Sequence, residues 1–316
     1  MGKVGSCAMT VAERRASPWI AGGVAALLMV AAATPSRAVE VLTGTIKKAA
    51  ETGEVVVGVR ASSVPFSFQE KVGQSEHPIG YAVDICQEIV DDIGKASGRE
   101  GLKIRYEPVT SESRIPAVTS GKVDLECGST TTNAERRKSV GFSPVTFISA
   151  TKLLVKRDSG IASYRDLGGK KVVVTAGTTN EAALRNILAR SKIQAEILIG
   201  KDHADSFAMV KDSRADAFAT DDVLLYGLKA AAGADGASYT VLPEKISFEP
   251  YAIMFRKDDP ALAALVTGTF ERLADSRELR WTYEKWFIKR LPNGERLDIP
   301  MSEELRTAFT VMGLRD

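Results

Sequence analysis

The sequence predicts a two-lobed α/β fold in which each lobe is a mostly parallel sheet flanked by helices. Three observations support this prediction. Short β-branched runs alternate with helical patterns between residues 54 and 126, the same alternation restarts near residue 169, and a long apolar extended segment follows each series. Strands that alternate with helices are typical of parallel sheets covered by helices.

The first series has five elements in the order β-α-β-α-β. They are the strand EVVVGVR, the helix GYAVDICQEIVDDIG, the strand LKIRYEPV, the short helix SRIPAVTSG and the strand KVDLEC. The first helix is assigned from Ile85, Ile89 and Ile93, because these apolar residues recur at helical spacing. The series therefore accounts for three parallel strands and the helices that join them.

The second series repeats this order and adds a helix. Its elements are GKKVVVTAG, TTNEAALRNILAR, AEILIG, DHADSFAMVKDS, ADAFAT and DDVLLYGLKAA. The extended segments SPVTFISATKLLVKRD and SFEPYAIMFRKDD are expected to cross between the lobes as hinge strands. We predict a discontinuous first lobe at residues 39–146 and 252–316 and a second lobe at residues 147–251. Two lobes joined by paired crossovers can close around a ligand by hinge motion.

The N-terminal 38 residues have the pattern of a signal peptide. Lys3, Arg14 and Arg15 precede the apolar run WIAGGVAALLMVAAA, which is too short to span a bilayer comfortably. The run ends in Thr-Pro-Ser-Arg-Ala, so we expect cleavage near Ala38 and export to the periplasm. A membrane anchor and a buried helix are the alternatives.

Composition and charge indicate a globular protein without affinity for nucleic acid. The chain is 44% hydrophobic and 26% charged, and its net charge is +2. Cleavage after residue 38 removes four of 42 basic residues and one of 40 acidic residues, which leaves 38 against 39, or −1. A near-neutral chain has no overall field that would attract nucleic acid.

Cys86 and Cys127 remain after cleavage. An even pair in an oxidising compartment can form a disulfide. Two buried free thiols are the alternative, because sequence alone does not show how far apart the two residues lie.

Polar residues follow the predicted strands of both lobes. Ligands of open parallel sheets bind beyond the carboxyl ends of the strands. The candidate ligand-binding residues at these ends are Arg60, Ser111, Arg114, Ser129, Thr131, Arg136, Thr179, His203 and Asp221. Within LECGSTTTNAERRKSVGFSP, Thr132-x-x-Glu135 matches a capping box, so we expect one hydroxyl to cap a helix there.

The charges at these strand ends point to an acidic amino acid. The three arginines exceed the need of one carboxylate, and His203 adds a further donor. Asp221 supplies an anion suited to an ammonium group. Because unpaired buried charges are costly, a ligand with two carboxylates and one ammonium fits this set.

The chain resembles the periplasmic solute-binding proteins of polar amino acid ABC importers, in particular their glutamate/aspartate-binding branch. The stretches that carry the resemblance are VGVRASSVPFSF, GYAVDIC, TSESRIP, ECGSTTTNAERRK, VVVTAGTTNE, KDHADSF and TDDVLL. The resemblance covers nearly all of the chain after residue 38. It implies the type II periplasmic binding protein fold, and as partners an amino acid ligand and an inner-membrane permease with its ATPase.

The resemblance also implies a role for each candidate residue. Arg136 and Thr131 would hold the α-carboxylate, and Asp221 would accept the ammonium with help from Ser129. The residues expected around the side-chain carboxylate are Arg60, Ser111, Arg114 and His203. Thr179 would add a hydroxyl from the second lobe. Asp222 is a further neighbour at the site, and a helix cap is its alternative role.

Several alternatives stay open at this point. The chain could bind glutamine or a dicarboxylate, it could be a sensor module, or it could be a dehydratase-like enzyme with Glu126 and Asp84 as acid and base. With two histidines and no G-x-S-x-G or H-E-x-x-H motif, the sequence does not favour an enzyme. We expect no cofactor, no metal and a monomer.

Overall fold

The computed structural model describes residues 42–315, except for the side chain of residue 72. The helices are α1 Gly44–Thr52, α2 Tyr81–Ser97, α3 Arg114–Thr119, α4 Asn180–Arg190, α5 His203–Lys211, α6 Asp222–Ala231, α7 Pro260–Asp275, α8 Glu278–Phe287 and α9 Glu303–Val311. The strands are β1 Glu54–Val59, β2 Ser62–Ser63, β3 Ser67–Val72, β4 Ser75–Ile79, β5 Lys103–Pro108, β6 Leu125–Glu126, β7 Val140–Phe142, β8 Phe147–Ser149, β9 Thr151–Lys156, β10 Lys171–Thr175, β11 Glu196–Gly200, β12 Ala217–Asp221, β13 Tyr239–Val241, β14 Glu249–Tyr251 and β15 Met254–Arg256.

The first lobe is built on a five-stranded sheet with the order β5-β1-β6-β15-β7. Strands β5, β1 and β6 are parallel, and β15 runs antiparallel to both β6 and β7. Strand β1 is almost wholly buried because its run of valines is covered on both faces. Helices α1, α2, α7 and α8 pack together in one apolar core with this sheet.

The second lobe repeats this arrangement with the strand order β11-β10-β12-β9-β13. Strands β11, β10 and β12 are parallel, and β9 runs antiparallel to both β12 and β13. The sheet has an apolar core on each face, one with α4 and one with α5 and α6. The observed order of strands and helices agrees with the two-lobed prediction.

Two crossover strands, β8 and β14, pair with each other in an antiparallel two-stranded sheet. Each crossover leads into the antiparallel strand of the lobe that it enters, β9 in the second lobe and β15 in the first. Phe147 of β8 and Tyr251 of β14 pack against Phe66 of the first lobe, and the centroids of the three rings lie 5.0–6.1 Å apart. The crossover pair is therefore anchored on the core of the first lobe.

Helix α2 and the end of strand β6 are joined covalently. Cys86 and Cys127 form a disulfide, and both residues are buried in the first lobe. The bond fixes the position of the chain just before the polar segment that begins at Ser129. Within residues 42–315, no helix combines the length and the apolar character needed to cross a membrane.

Candidate functional site

The carboxyl ends of the parallel strands of both lobes meet at one polar site. Seven of the nine predicted residues are buried there, and Arg136 and Thr179 are half-buried. Hydrogen bonds connect the two sides: Arg136 of the first lobe donates through Nη2 to the carbonyl oxygen of Gly177 in the second, at 3.2 Å. The site is thus enclosed between lobes that touch.

Gly177 shows how closely the lobes approach. Its φ is +72°, a left-handed conformation that favours glycine. A Cβ at this position would lie 2.6 Å from the Cα of Glu112 in the first lobe. A side chain at residue 177 would therefore keep the lobes from meeting as they do here.

Arg60 and Arg114 form the buried cationic part of the site. Arg60 follows β1, and its Nη2 donates to the Ser111 hydroxyl at 2.6 Å. Burial is the main cause that lowers the pKa of Arg60 to about 10, and the charge of Arg114 is the second cause. Burial also lowers the pKa of Arg114. Both residues remain cationic at neutral pH. Among the described residues, no group accepts a hydrogen bond from Arg60 Nη1 or Arg114 Nε.

Glu126 balances part of this positive charge. Its Oε2 accepts a hydrogen bond from the Thr130 hydroxyl, which in turn accepts from Arg114 Nη1 at 2.8 Å. Arg114 also donates to the carbonyl oxygen of Ser129 at 3.2 Å. The sequence suggested for Glu126 only a role as acid or base in an enzyme, although a charged residue at the end of a buried strand indicates a nearby cation. Asp84, its suggested partner in an enzyme, is bound instead to Lys285 and Trp286.

The expected capping box is wrong. Residues Arg136–Lys138 form only a short 3-10 turn, and the side chain of Asn133 accepts from the Arg136 N–H at 2.9 Å. Thr132 Oγ1 is buried without a hydrogen-bond partner among residues 42–315. The segment is diverted because Thr132 N donates to the carbonyl oxygen of Pro250 on the crossover strand β14. Tertiary pairing has replaced the local motif.

Arg136 lies at the junction of the lobes. Its Nη1 donates to the carbonyl oxygen of Thr131 at 2.7 Å, and its Nη2 reaches Gly177. Burial, followed by the Arg114 charge, lowers the pKa of Arg136 to about 10, so the guanidinium stays charged at neutral pH. Ser129, which is predicted to assist Asp221 at the ammonium, is buried beside Ser63, with the two hydroxyl oxygens 3.3 Å apart.

His203 begins helix α5 in the second lobe. Its Nδ1 lies 3.0 Å from the Thr175 hydroxyl. Burial, together with the charges of Arg60 and Arg114, holds the pKa of His203 well below its ordinary value. The imidazole is therefore neutral at pH 7 and offers one N–H rather than a positive charge.

Asp221 ends strand β12 and is also buried. One oxygen accepts from Asn180 Nδ2 at 2.6 Å, and the other accepts from the hydroxyl of Tyr251. Burial is the main cause that raises the pKa of Asp221 to about 7, with a further contribution from the Glu249 charge. Its neighbour Asp222 has different contacts: it is the first residue of α6, its carboxylate accepts from the Val223 N–H, and it pairs with Lys152 at 2.9 Å.

Glu249 is the residue that sequence reasoning missed most completely. It lies on β14 and is 3% exposed. Its Oε2 accepts hydrogen bonds from Thr131 of the first lobe at 2.8 Å and from Thr179 of the second at 2.6 Å. The available signal was a lone carboxylate in the otherwise apolar crossover SFEPYAIMF. For Tyr251, two residues later, the sequence predicts only a place in that strand.

The chain belongs to the bacterial extracellular solute-binding proteins, family 3, whose model matches residues 55–289. The match covers both sheets and both crossovers. In the described part of the chain, no group of His, Cys, Asp and Glu side chains could hold a metal ion.

Curated relatives match most of the chain. It is 43% identical over 266 residues to the L-glutamate/L-aspartate-binding protein of Pseudomonas aeruginosa. The aligned part is 84% of this chain and 87% of that relative. It is 36% identical, with the same coverage, to the glutamate/aspartate import solute-binding protein of Escherichia coli. A glutamine-binding protein of Geobacillus stearothermophilus is 33% identical over 229 residues, 72% of this chain and 82% of the relative.

Solved structures show the same fold. The substrate-binding protein of an amino acid ABC transporter has a TM-score of 0.66 at 28% identity and covers 75% of this chain and 100% of its own. An ancestral amino acid-binding protein, described as a precursor of cyclohexadienyl dehydratase, has a TM-score of 0.65 at 30% identity, covering 77% and 99%. The predicted type II periplasmic binding protein fold is confirmed.

Proposed function

We propose that this protein binds L-glutamate or L-aspartate outside the cytoplasm by lobe closure and delivers it to an ABC importer. The observation that carries the proposal is the distribution of buried charge. Arg60 and Arg114 have N–H groups without acceptors among residues 42–315 on one side of the site, and Asp221 lies buried on the other. A donor buried without a partner is costly, so an anionic group is needed there.

An acidic amino acid places its three charged groups where this distribution requires them. The side-chain carboxylate contacts Arg60 and Arg114, with Ser111 and the N–H of His203 beside them. The α-carboxylate contacts Arg136, a fork of donors suited to a carboxylate. The ammonium lies against Asp221. Ser129, Thr131 and Thr179 complete the site with hydroxyls.

Closure follows from ligand contacts on both lobes. The ligand first meets the arginines of the first lobe, and the second lobe then brings Thr179, His203 and Asp221 against it. A ligand that touches both lobes only in the closed form shifts the population toward that form. We place the lobe boundaries at 146/147 and 251/252, and the hinge at the β8–β14 pair.

Export and delivery are supported by the relatives. The Escherichia coli relative is named an import protein, and the family is described as extracellular. The N-terminal pattern of residues 1–38, which lies outside the described residues, is that of a signal peptide. The partners are a permease and its ATPase in the inner membrane, and the protein acts as a monomer without a cofactor and without catalysis.

Calorimetric titration of the mature protein, freed of bound ligand, tests this function. We expect micromolar or tighter binding of L-glutamate or L-aspartate, a binding free energy of about −8 kcal/mol or more. Glutamine and succinate should bind at least tenfold more weakly, because each lacks one of the three charges. Preferred glutamine would reassign the protein to another polar amino acid. Turnover of a bound compound in the same samples would establish an enzyme on this fold.

A further inference from the structure

Glu249 connects the two lobes through a single oxygen atom. It lies on β14, one of the two strands that join the lobes. Oε2 accepts from Thr131 and Thr179, which lie on opposite lobes, and Oε1 accepts from Ser247. Since Thr131 and Thr179 also stand 3.5 Å apart, the carboxylate and the two hydroxyls form one compact group.

The count of protons fixes the roles within this group. An ionised carboxylate only accepts hydrogen bonds, and a threonine hydroxyl has one proton to donate. Thr131 and Thr179 therefore both give their protons to Glu249. Neither hydroxyl retains a proton for a carboxylate of the ligand, and each retains lone pairs that can accept from a donor.

The surroundings favour a cation as that donor. Glu249 and Asp221 are 3% and 4% exposed, and the charge of one acts on the other. In the described part of the chain, neither forms an ion pair with a lysine or an arginine. Asp221 is held by the neutral donors Asn180 and Tyr251. The nearby guanidinium of Arg136 donates to the carbonyl oxygens of Thr131 and Gly177 instead.

We propose that Glu249 is a positioning residue that sets ligand specificity: by taking the hydroxyl protons of Thr131 and Thr179, it keeps both hydroxyls as acceptors for an ammonium group. The protein thereby selects amino acids over dicarboxylates that have no amino group. This inference rests on the proposed function and changes one part of it. Thr131 and Thr179 belong to the ammonium side of the site, and the α-carboxylate depends on Arg136.

A Glu249→Gln substitution tests the inference because it keeps the shape, removes the charge and replaces one of the two acceptor oxygens by an NH2 donor. The glutamine amide can donate to the hydroxyls and turn their protons toward the ligand. The probes are L-glutamate and glutarate, which has the same two carboxylates without the ammonium. We expect affinity for L-glutamate to fall at least tenfold, and the preference for L-glutamate over glutarate to fall at least tenfold as well.

Glu244→Gln is the matched control. Glu244 lies five residues earlier on the same segment, and its carboxylate accepts from Ser163, Tyr164 and Arg165 within the second lobe. The control should bind both probes within about twofold of the natural protein. Thr179→Val supplies a second test if Glu249→Gln does not fold: it should weaken L-glutamate by a larger factor than glutarate.

The outcomes separate this inference from the proposed function. If the natural protein does not bind L-glutamate or L-aspartate, the proposed function fails. If it binds them but the ratio of glutamate to glutarate affinity is unchanged in Glu249→Gln, the inference alone fails. Equal losses for both probes in Thr179→Val would mean that this hydroxyl donates to a carboxylate, which also overturns the inference.

Discussion

The two lobes have the same sheet and opposite chemistry. In each, three parallel strands lie next to an antiparallel fourth strand that comes from a crossover, and a fifth strand completes the sheet. The strand ends of the first lobe carry Arg60, Arg114 and Arg136. Those of the second carry Asp221 and a neutral His203.

The difference shows that topology positions the site and side chains define what it recognises. Both lobes present the carboxyl ends of parallel strands to the same polar site, as expected of this architecture. The cations lie on one lobe and Asp221 on the other, which is the arrangement that the proposed acidic amino acid requires. Substitutions on either lobe therefore test this assignment.

Removal of the cation at the lobe junction should have the largest effect. We expect Arg136→Ala to weaken binding of L-glutamate, L-aspartate and glutamine more than about 100-fold. It loses a charge-assisted contact to the α-carboxylate that they share and the bond to Gly177 across the lobes. Calorimetric titration measures the loss. Its neighbour Arg137 is exposed over the ring of Phe142, so Arg137→Ala should bind normally. A loss below tenfold in Arg136→Ala would refute the assignment.

Asp221 should make binding depend on pH. Burial raises its pKa to about 7 in the ligand-free protein, whereas a bound ammonium favours the ionised carboxylate. Affinity for L-glutamate should therefore fall as the pH drops below about 7, by up to about tenfold per pH unit. Titrations between pH 5 and 8 measure the slope. Asp221→Asn should bind about tenfold or more weakly at pH 8 and show a flat profile; an equally steep profile in this variant would assign the proton to another group.

The same pKa predicts a change in stability of opposite sign. Folding raises the pKa of the Asp221 carboxyl, so this group stabilises the fold at a pH below its pKa in the unfolded chain. That contribution to the free energy of unfolding is lost as the pH rises through the pKa of the folded state. The ligand-free protein should thus lose stability between about pH 4 and pH 7 through Asp221. Ligand-free Asp221→Asn should melt at a higher temperature than the natural protein at pH 8. A lower melting temperature would show that the hydrogen bonds of the ionised carboxylate outweigh the cost of its burial.

The sequence predicted the order of strands and helices because each element has a local periodicity. It also placed Arg60, Arg114 and Asp221 at strand ends, where parallel sheets bind ligands. It did not predict the partners of these charges. Glu126 and Glu249 act through contacts with Thr130 and with Thr131 and Thr179, which only the folded chain brings near. The capping box failed for the same reason, since pairing with β14 replaced a local motif.

Substitution of Arg114 should change the selectivity among amino acids more than it lowers the affinity for all of them. Its guanidinium lies with Arg60 in the part of the site assigned to the side-chain carboxylate, and Nε has no acceptor among the described residues. We expect Arg114→Ala to weaken L-glutamate and L-aspartate about tenfold more than glutamine. Competition titrations with the three ligands measure the ratios. Equal losses for all three would show that Arg114 acts on the α-carboxylate or on the fold.

The disulfide should contribute to the stability of the first lobe and have the smallest effect on binding. Cys86 and Cys127 are 41 residues apart in sequence, and a cross-link over such a loop stabilises a fold by about 2–4 kcal/mol. The double variant Cys86→Ala/Cys127→Ala should therefore unfold at lower denaturant concentration. Its affinity for L-glutamate should stay within about twofold, because Arg60, Arg114 and Asp221 are held by hydrogen bonds that do not involve either cysteine. A tenfold loss of affinity at unchanged stability would mean that the disulfide positions the segment from Ser129 to Arg136. The arrangement of the binding residues in the first lobe would then depend on this covalent link.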